Sequence, residues 1–226
     1  MPVLLFDIDG TLLRSGRSGK AAMDAALRNA FGVAHINDVV PFSGRTDRAI
    51  SRDLLAAHNL PVTLENERRL TATYLELLPQ ALAEGAGHIC PGVEAILEET
   101  RKASGVLLGL LTGNVREGAR RKLGHFGLWD YFPAGGGFGD DHYERDDVAR
   151  SAMLELAKHH RREHHGDEIW VIGDTPLDVS CAKAIGARSV AVATGWHSLD
   201  ELAACKPDAV FSDLTEAGDL VSKWLG

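Results

Sequence analysis

Val3-Leu4-Leu5-Phe6-Asp7-Ile8-Asp9-Gly10-Thr11-Leu12 joins an apolar run to two aspartates one residue apart. Four apolar residues in a row read as a short buried strand, and Gly10 permits a sharp turn after it. Asp7 and Asp9 then stand at the carboxyl edge of that strand, where open α/β sheets hold their ligands. Residues i and i+2 of a strand point the same way, so the two carboxylates repel unless a cation or a shared proton relieves them. The pair asks for a divalent metal, a proton-transfer role, or both. The plain alternative is a surface Asp-Gly turn.

Downstream of this strand the pattern is helical as far as residue 86. Ser18 is placed to cap a helix with Ala22, Ala26, Leu27, Ala30 and Phe31 on one face, closed by Gly32. Thr46 is placed to cap a second, with Ile50, Leu54 and Ala57 aligned, and Thr63 precedes a third carrying Leu70, Tyr74, Leu77, Leu78 and Ala81. Pro79 should kink or divide that third helix. Gly-rich stretches at 14–19 and 85–87 bracket the block as flexible crossings, which suggests a lid inserted in a core. From Cys90 the chain alternates: helix 91–103, strand Val106-Leu111, helix 115–127, a turn-rich stretch, helix 145–160, strand Glu168-Gly173, helix 176–186, strand Ser189-Thr194 and strand Ala209-Phe211. Such alternation is the mark of an α/β fold, a parallel sheet with helices on both faces. The expected division is a core of 1–14 and 87–226 and a helical cap of 15–86.

The 226 residues suffice for one large domain or two modest ones, and 45% apolar with 25% charged residues exclude a disordered chain. A formal net charge of −8 opposes a nucleic-acid partner, although a small anion can still find a locally positive site. The apolar stretches are strand-sized, too short to span a bilayer, so no membrane partner is expected. The N-terminus enters a strand with no basic region or h-region, so no signal peptide is expected. Cys90, Cys181 and Cys205 form no CxxC pattern and read as reduced thiols of a cytoplasmic protein.

Three further polar clusters lie where strands end. Thr112-Gly113-Asn114 offers a hydroxyl, a mobile backbone and an amide at a helix N-terminus, suited either to a phosphate or simply to capping. Gly173-Asp174-Thr175-Pro176-Leu177-Asp178 puts Asp174 at a strand end and Asp178 on the first helical turn. Together with Asp7 and Asp9, these carboxylates suit Mg²⁺; alternatively they complement a helix dipole. A basic residue should balance substrate charge. Arg145, opening helix 145–160, is the candidate, against a surface pairing with Glu144 or Asp146. Lys122 competes but sits well into a helix, away from the strand edge.

In this order, Asp7-Ile8-Asp9-Gly10-Thr11, Thr112-Gly113-Asn114, Arg145 and Gly173-Asp174 with Asp178 resemble the haloacid dehalogenase-like superfamily, over essentially the whole chain. The helical block between the first two motifs resembles the C1 cap of that family. The resemblance implies that Asp7 is the nucleophile of an aspartyl-phosphate route and Asp9 the general acid/base. It implies Mg²⁺ held by the Asp7 carboxylate, the Asp9 backbone carbonyl and Asp174, with Asp178 binding directly or through water. Thr112 and Arg145 would bind the phosphoryl oxygens, with Gly10, Thr11, Gly113 and Asn114 also lining the phosphate site. Relatives that act as dehalogenases lack an Asp at the position of Asp9, which favours phosphoryl transfer here. Many relatives carry Lys followed by Pro where this chain has Arg145 without Pro.

The expected function is a Mg²⁺-dependent phosphatase for a small phosphorylated metabolite. The alternatives are a phosphomutase or phosphotransferase of the β-phosphoglucomutase type and a non-catalytic phosphate-binding protein, as monomer or homodimer. Arg45, in the loop Phe42-Ser43-Gly44-Arg45-Thr46-Asp47, would meet a substrate carboxylate or second phosphate, or else be solvated. The run His159-His165 reads as a polar helix end rather than a metal site, and Gly135-Gly139 as a loop.

Overall fold

The computed structural model describes residues 1–103 and 105–225; Ser104 and Gly226, both inside the expected core segment, lie outside the described residues. The chain runs β1 (Val3–Phe6), β2 (Leu13–Arg14), α1 (Ser18–Phe31), α2 (Asp47–Ala57), α3 (Leu64–Glu84), β3 (His88–Ile89), α4 (Val93–Lys102), β4 (Leu107–Leu111) and α5 (Arg116–His125). It continues through β5 (Gly136–Gly137), α6 (Arg145–His160), β6 (Ile169–Gly173), α7 (Pro176–Ala184), β7 (Arg188–Val192), α8 (Leu199–Ala204), β8 (Ala209–Phe211) and α9 (Gly218–Leu225).

Six strands form a parallel sheet in the order β5-β4-β1-β6-β7-β8. Strand order reverses at β1, which pairs with β4 on one side and β6 on the other, so the crevice at its carboxyl end is a topological switch point. Phe6 pairs with both Leu110 and Ile172, so the three chains leave the sheet nearly level. Alternation along β1 sorts the core. Leu4 and Phe6 join Ile96, Leu97, Ala119, Leu123, Val221 and Trp224 on one face. Val3 and Leu5 join Val148, Ala149, Ala152, Leu156, Cys181 and Ala182 on the other.

Helices α1–α3 form a helical insert between β2 and β3 with an apolar cluster of its own, including Met23, Leu27, Leu54, Leu55, Leu70, Tyr74 and Leu78. Thr46 and Thr63 cap α2 and α3 as expected, accepting from Ala49 and Asn66 N–H. Ser18 differs: it is the first helical residue, and its hydroxyl donates back to the Ser15 carbonyl at 2.6 Å. Pro79 does not divide α3, which runs unbroken from Leu64 to Glu84. Proline lacks the N–H that the Leu75 carbonyl would accept, and the Arg121 guanidinium from α5 supplies that donor instead.

A short ribbon joins the chain at the outer ends of the two crossings. β2 and β3 pair antiparallel, Leu13 with Ile89 and Arg14 with His88. Within the run read as a loop, Gly136–Gly137 is a short edge strand beside Leu110–Leu111. A Cβ at Gly136 would overlap the Leu110 carbonyl, so only glycine allows this approach. No helix among the described residues is long and apolar enough to cross a membrane.

Candidate active site

Asp7 leaves the sheet at the switch point, its N–H still donating to the Ile172 carbonyl at 2.9 Å. Gly10 turns the chain with φ +93°, and Thr11 sends its hydroxyl to Asp174 Oδ1 at 3.2 Å. A Cβ at Gly10 or at Gly195 would overlap the Asp174 carboxylate, so these two glycines clear the space around it. Asp7, Asp174 and Asp178, all buried, each offer a carboxylate oxygen within 4.8 Å of the others. They form an acidic cluster able to hold a metal ion.

Arg145 opens α6 and turns its buried side chain into this cluster. Its Nη2 lies 3.0 Å from Asp7 Oδ1, 2.5 Å from Asp178 Oδ1 and 2.9 Å from the Leu111 carbonyl. Asp178 Oδ2 accepts from the Thr175 N–H at 3.0 Å and hydroxyl at 2.7 Å, a capping box at the start of α7. Asp178 therefore serves the helix end and the cluster at once. Burial pushes the Asp7 carboxyl up to about 6; Arg145 opposes the rise, while Asp178 and Asp9 add to it. Burial, reinforced by Asp178 and Asp7, also holds Asp174 well above the usual carboxylate range. Both shifts come first from burial, and the neighbouring carboxylates add to them.

Asp9 faces a different set of partners. Its side chain is 39% exposed, and the Lys122 ammonium lies 2.5 Å from Oδ2. Lys122 is buried rather than remote from the strand edge, which corrects the sequence expectation. The signal was present in helical spacing: Val115, Gly118, Ala119, Lys122 and Leu123 fall at i, i+3, i+4, i+7 and i+8, one inward stripe. Burial works against charge on Asp9, yet Lys122, with hydrogen bonds from Lys122, Asn114 and Ser15, holds its carboxyl below the ordinary value. Burial likewise opposes charge on Lys122, but Asp9, Tyr74 and Asp47 together outweigh it and raise the ammonium pKa.

Asn114 Nδ2 donates to Asp9 Oδ2 and to Thr112 Oγ1, both at 2.9 Å. The N-terminus of α5, expected as an anion site, is engaged by carboxylates: Asp47 Oδ2 accepts from Val115 N–H at 2.9 Å and Asp140 Oδ2 from Arg116 N–H at 2.8 Å. Asp47 comes from the helical insert, and its own N–H donates to the Gly113 carbonyl at 2.7 Å. Nothing in its sequence context beyond helix capping marks it for this contact. Arg45 is half-buried and lines the cavity of the site. It donates to Asp53 Oδ2 at 2.5 Å and to the Pro41 carbonyl at 3.1 Å.

A cavity of about 630 Å³ lies between the strand ends and the insert. Asp7, Asp9, Gly10, Gly113, Asn114, Lys122, Arg145 and Asp174 line its sheet side, and Met23, Phe42, Arg45 and Tyr74 the other. Thr11 and Thr112 are fully buried behind that wall. The histidines at 159–165 join no group of three or more metal-ligating side chains among the described residues; the acidic trio is the one such group there.

The family description haloacid dehalogenase-like hydrolase matches residues 4–183. A phosphoglycolate phosphatase of Vibrio vulnificus is 29% identical over 225 residues, covering 97% of this chain and 95% of that protein. Among solved structures, CbbY from Rhodobacter sphaeroides in complex with phosphate superposes with a TM-score of 0.77 at 20% identity, covering 96% of each chain. A predicted phosphatase from Clostridium acetobutylicum gives a TM-score of 0.74 at 22% identity, with 98% of each chain covered. These two show likeness of fold.

Proposed function

The chain belongs to the haloacid dehalogenase-like hydrolase family, and we propose that it is a Mg²⁺-dependent phosphatase acting on a small phosphomonoester through an aspartyl-phosphate at Asp7. The observation that carries this reading is the buried trio Asp7, Asp174 and Asp178, gathered within 4.8 Å beside Arg145. The donor set fits Mg²⁺. It is all carboxylate, three negative charges face a single guanidinium, and Gly10 and Gly195 leave room at Asp174. Asp7, Asp174 and the Asp9 backbone carbonyl would hold the ion, with Asp178 in support. When bound, it would neutralise charge between the nucleophile and an anionic substrate.

Asp7 attacks phosphorus: the bond from its carboxylate oxygen to phosphorus forms as the bond from phosphorus to the ester oxygen breaks. The departing oxygen takes a proton from Asp9, which later accepts one from the water whose oxygen displaces Asp7 and frees inorganic phosphate. Arg145 would bind phosphoryl oxygens. The fully buried Thr112 hydroxyl accepts from the Asn114 backbone N–H and side-chain amide and so holds Asn114 at the wall of the cavity. The Vibrio vulnificus relative, named phosphoglycolate phosphatase, supports a small phosphomonoester such as phosphoglycolate as substrate.

Phosphate release from a panel of phosphomonoesters with Mg²⁺, and its loss with EDTA, tests the reading. Asp7→Asn should lower kcat by at least ~10³-fold with the circular dichroism spectrum unchanged. Interconversion of glucose phosphate isomers without phosphate release would overturn it in favour of a mutase.

A further inference from the structure

The two aspartates of the opening motif have separate cations. Arg145 lies on Asp7 and Asp178, whereas Lys122 lies on Asp9 and Asn114, with Nζ 2.5 Å from Asp9 Oδ2 and 2.7 Å from Asn114 Oδ1. The Asn114 amide reaches the same Asp9 oxygen at 2.9 Å and is itself tied to Thr112 Oγ1. Asp9 Oδ2 is therefore clamped by two donors. Among the described residues Oδ1 meets only the Ser15 hydroxyl, at 3.4 Å, and Asp9 remains partly open to the cavity.

A lysine that is 4% exposed is an expensive way to fill the inward stripe of a helix. Replacing a buried ion pair with apolar residues of similar volume is often neutral or stabilising, so stability gives little reason for an ammonium here. Direct phosphate binding explains it poorly as well, since two of its three protons already go to Asp9 and Asn114.

We propose that Lys122 is a positioning residue: with Asn114 it fixes one oxygen of Asp9 so that the other meets the leaving oxygen of the substrate. This rests on the phosphatase reading above, in which Asp9 gives its proton to that oxygen as the phosphorus–oxygen bond breaks. Lys122 forms no bond to phosphate and acts through Asp9 alone.

Leaving groups separate the possibilities. An alkoxide needs the Asp9 proton to depart, whereas p-nitrophenolate leaves without one. In steady-state kinetics with Mg²⁺, Lys122→Met should lower kcat/KM for an alkyl phosphomonoester by ~100-fold and for p-nitrophenyl phosphate by less than ~10-fold. KM should change little, Lys122→Arg should recover part of the loss, and Lys122→Met should add nothing in an Asp9→Asn background. Equal losses on both esters, with KM raised and the loss additive to Asp9→Asn, would make Lys122 a phosphate-binding residue and overturn the proposal. Unchanged kinetics would overturn it too. Should Lys122→Met fail to fold, Lys122→Gln, which keeps a donor but no charge, gives the same two-ester comparison. Absence of phosphate release by the wild-type protein from any ester would instead sink the phosphatase reading itself.

Discussion

Asp47 carries a carboxylate from the helical insert to the Val115 N–H at the cap of α5, and burial pushes that carboxyl up to about 6 against the pull of Lys122. The folded protein therefore holds a proton on Asp47 at pH values where the unfolded chain, with the ordinary value of 3.8, has lost it. Between these two values the native state binds more protons, so stability falls as pH rises and levels off above the folded value. Asp47→Asn keeps an acceptor for Val115 and removes the titration. Urea denaturation at pH 4.5 and 7.5 should show the wild type losing on the order of 1–2 kcal/mol that the variant keeps. That Asp7, Asp174 and Asp178 come together was legible because strand ends and a helix first turn fix where such side chains point, whereas the separate partners of Asp9 were not. Lys122 was legible only through the periodicity of α5, and Asp47 hardly at all. The role of Asp47 comes from a contact between segments 68 residues apart, which local pattern does not encode.

Helix α3 continues through Pro79 because a guanidinium from another element takes the carbonyl that proline abandons. Arg121 also pairs with Glu117 at 2.8 Å, which aims it at Leu75. Arg121→Ala should cost about 1–2 kcal/mol in urea denaturation, chiefly from the orphaned carbonyl. In a Pro79→Ala background, where residue 79 regains its N–H, the same change should cost less than half as much. Most elements were readable from the chain: apolar runs of strand length and caps at Thr46 and Thr63 mark them locally. Helices α8 and α9 were not read from the chain, and the missed strands share one cause. β2, β3 and β5 are two-residue strands whose existence depends on a distant partner, and the glycines of β5 resemble a loop until Leu110 lies beside them.

At the scale of the molecule, the insert is tied to the core by a cluster around Tyr143. The phenol donates to buried Glu67 at 2.9 Å, and the guanidiniums of Arg48 and Arg52 sit 4.4 and 4.7 Å from the ring centroid. Thr46 Oγ1 donates to the Tyr143 carbonyl at 3.1 Å, and Arg48 to that of Asp141 at 2.8 Å. Tyr143→Ala should weaken this closure by about 2 kcal/mol. Amide exchange in α2 should then quicken by roughly 30-fold, with a higher KM, as seen by exchange mass spectrometry and kinetics. The β2–β3 ribbon closes the insert where the chain leaves and rejoins the core. Arg14 and His88 are direct neighbours across an antiparallel pair, about 5 Å apart at Cα. The 73 residues between them leave and return at one point, like a clause set between brackets. A turn of two or three residues could join the same ends. Lids of other lengths could thus be exchanged at this doorway while the carboxylates beneath keep their register.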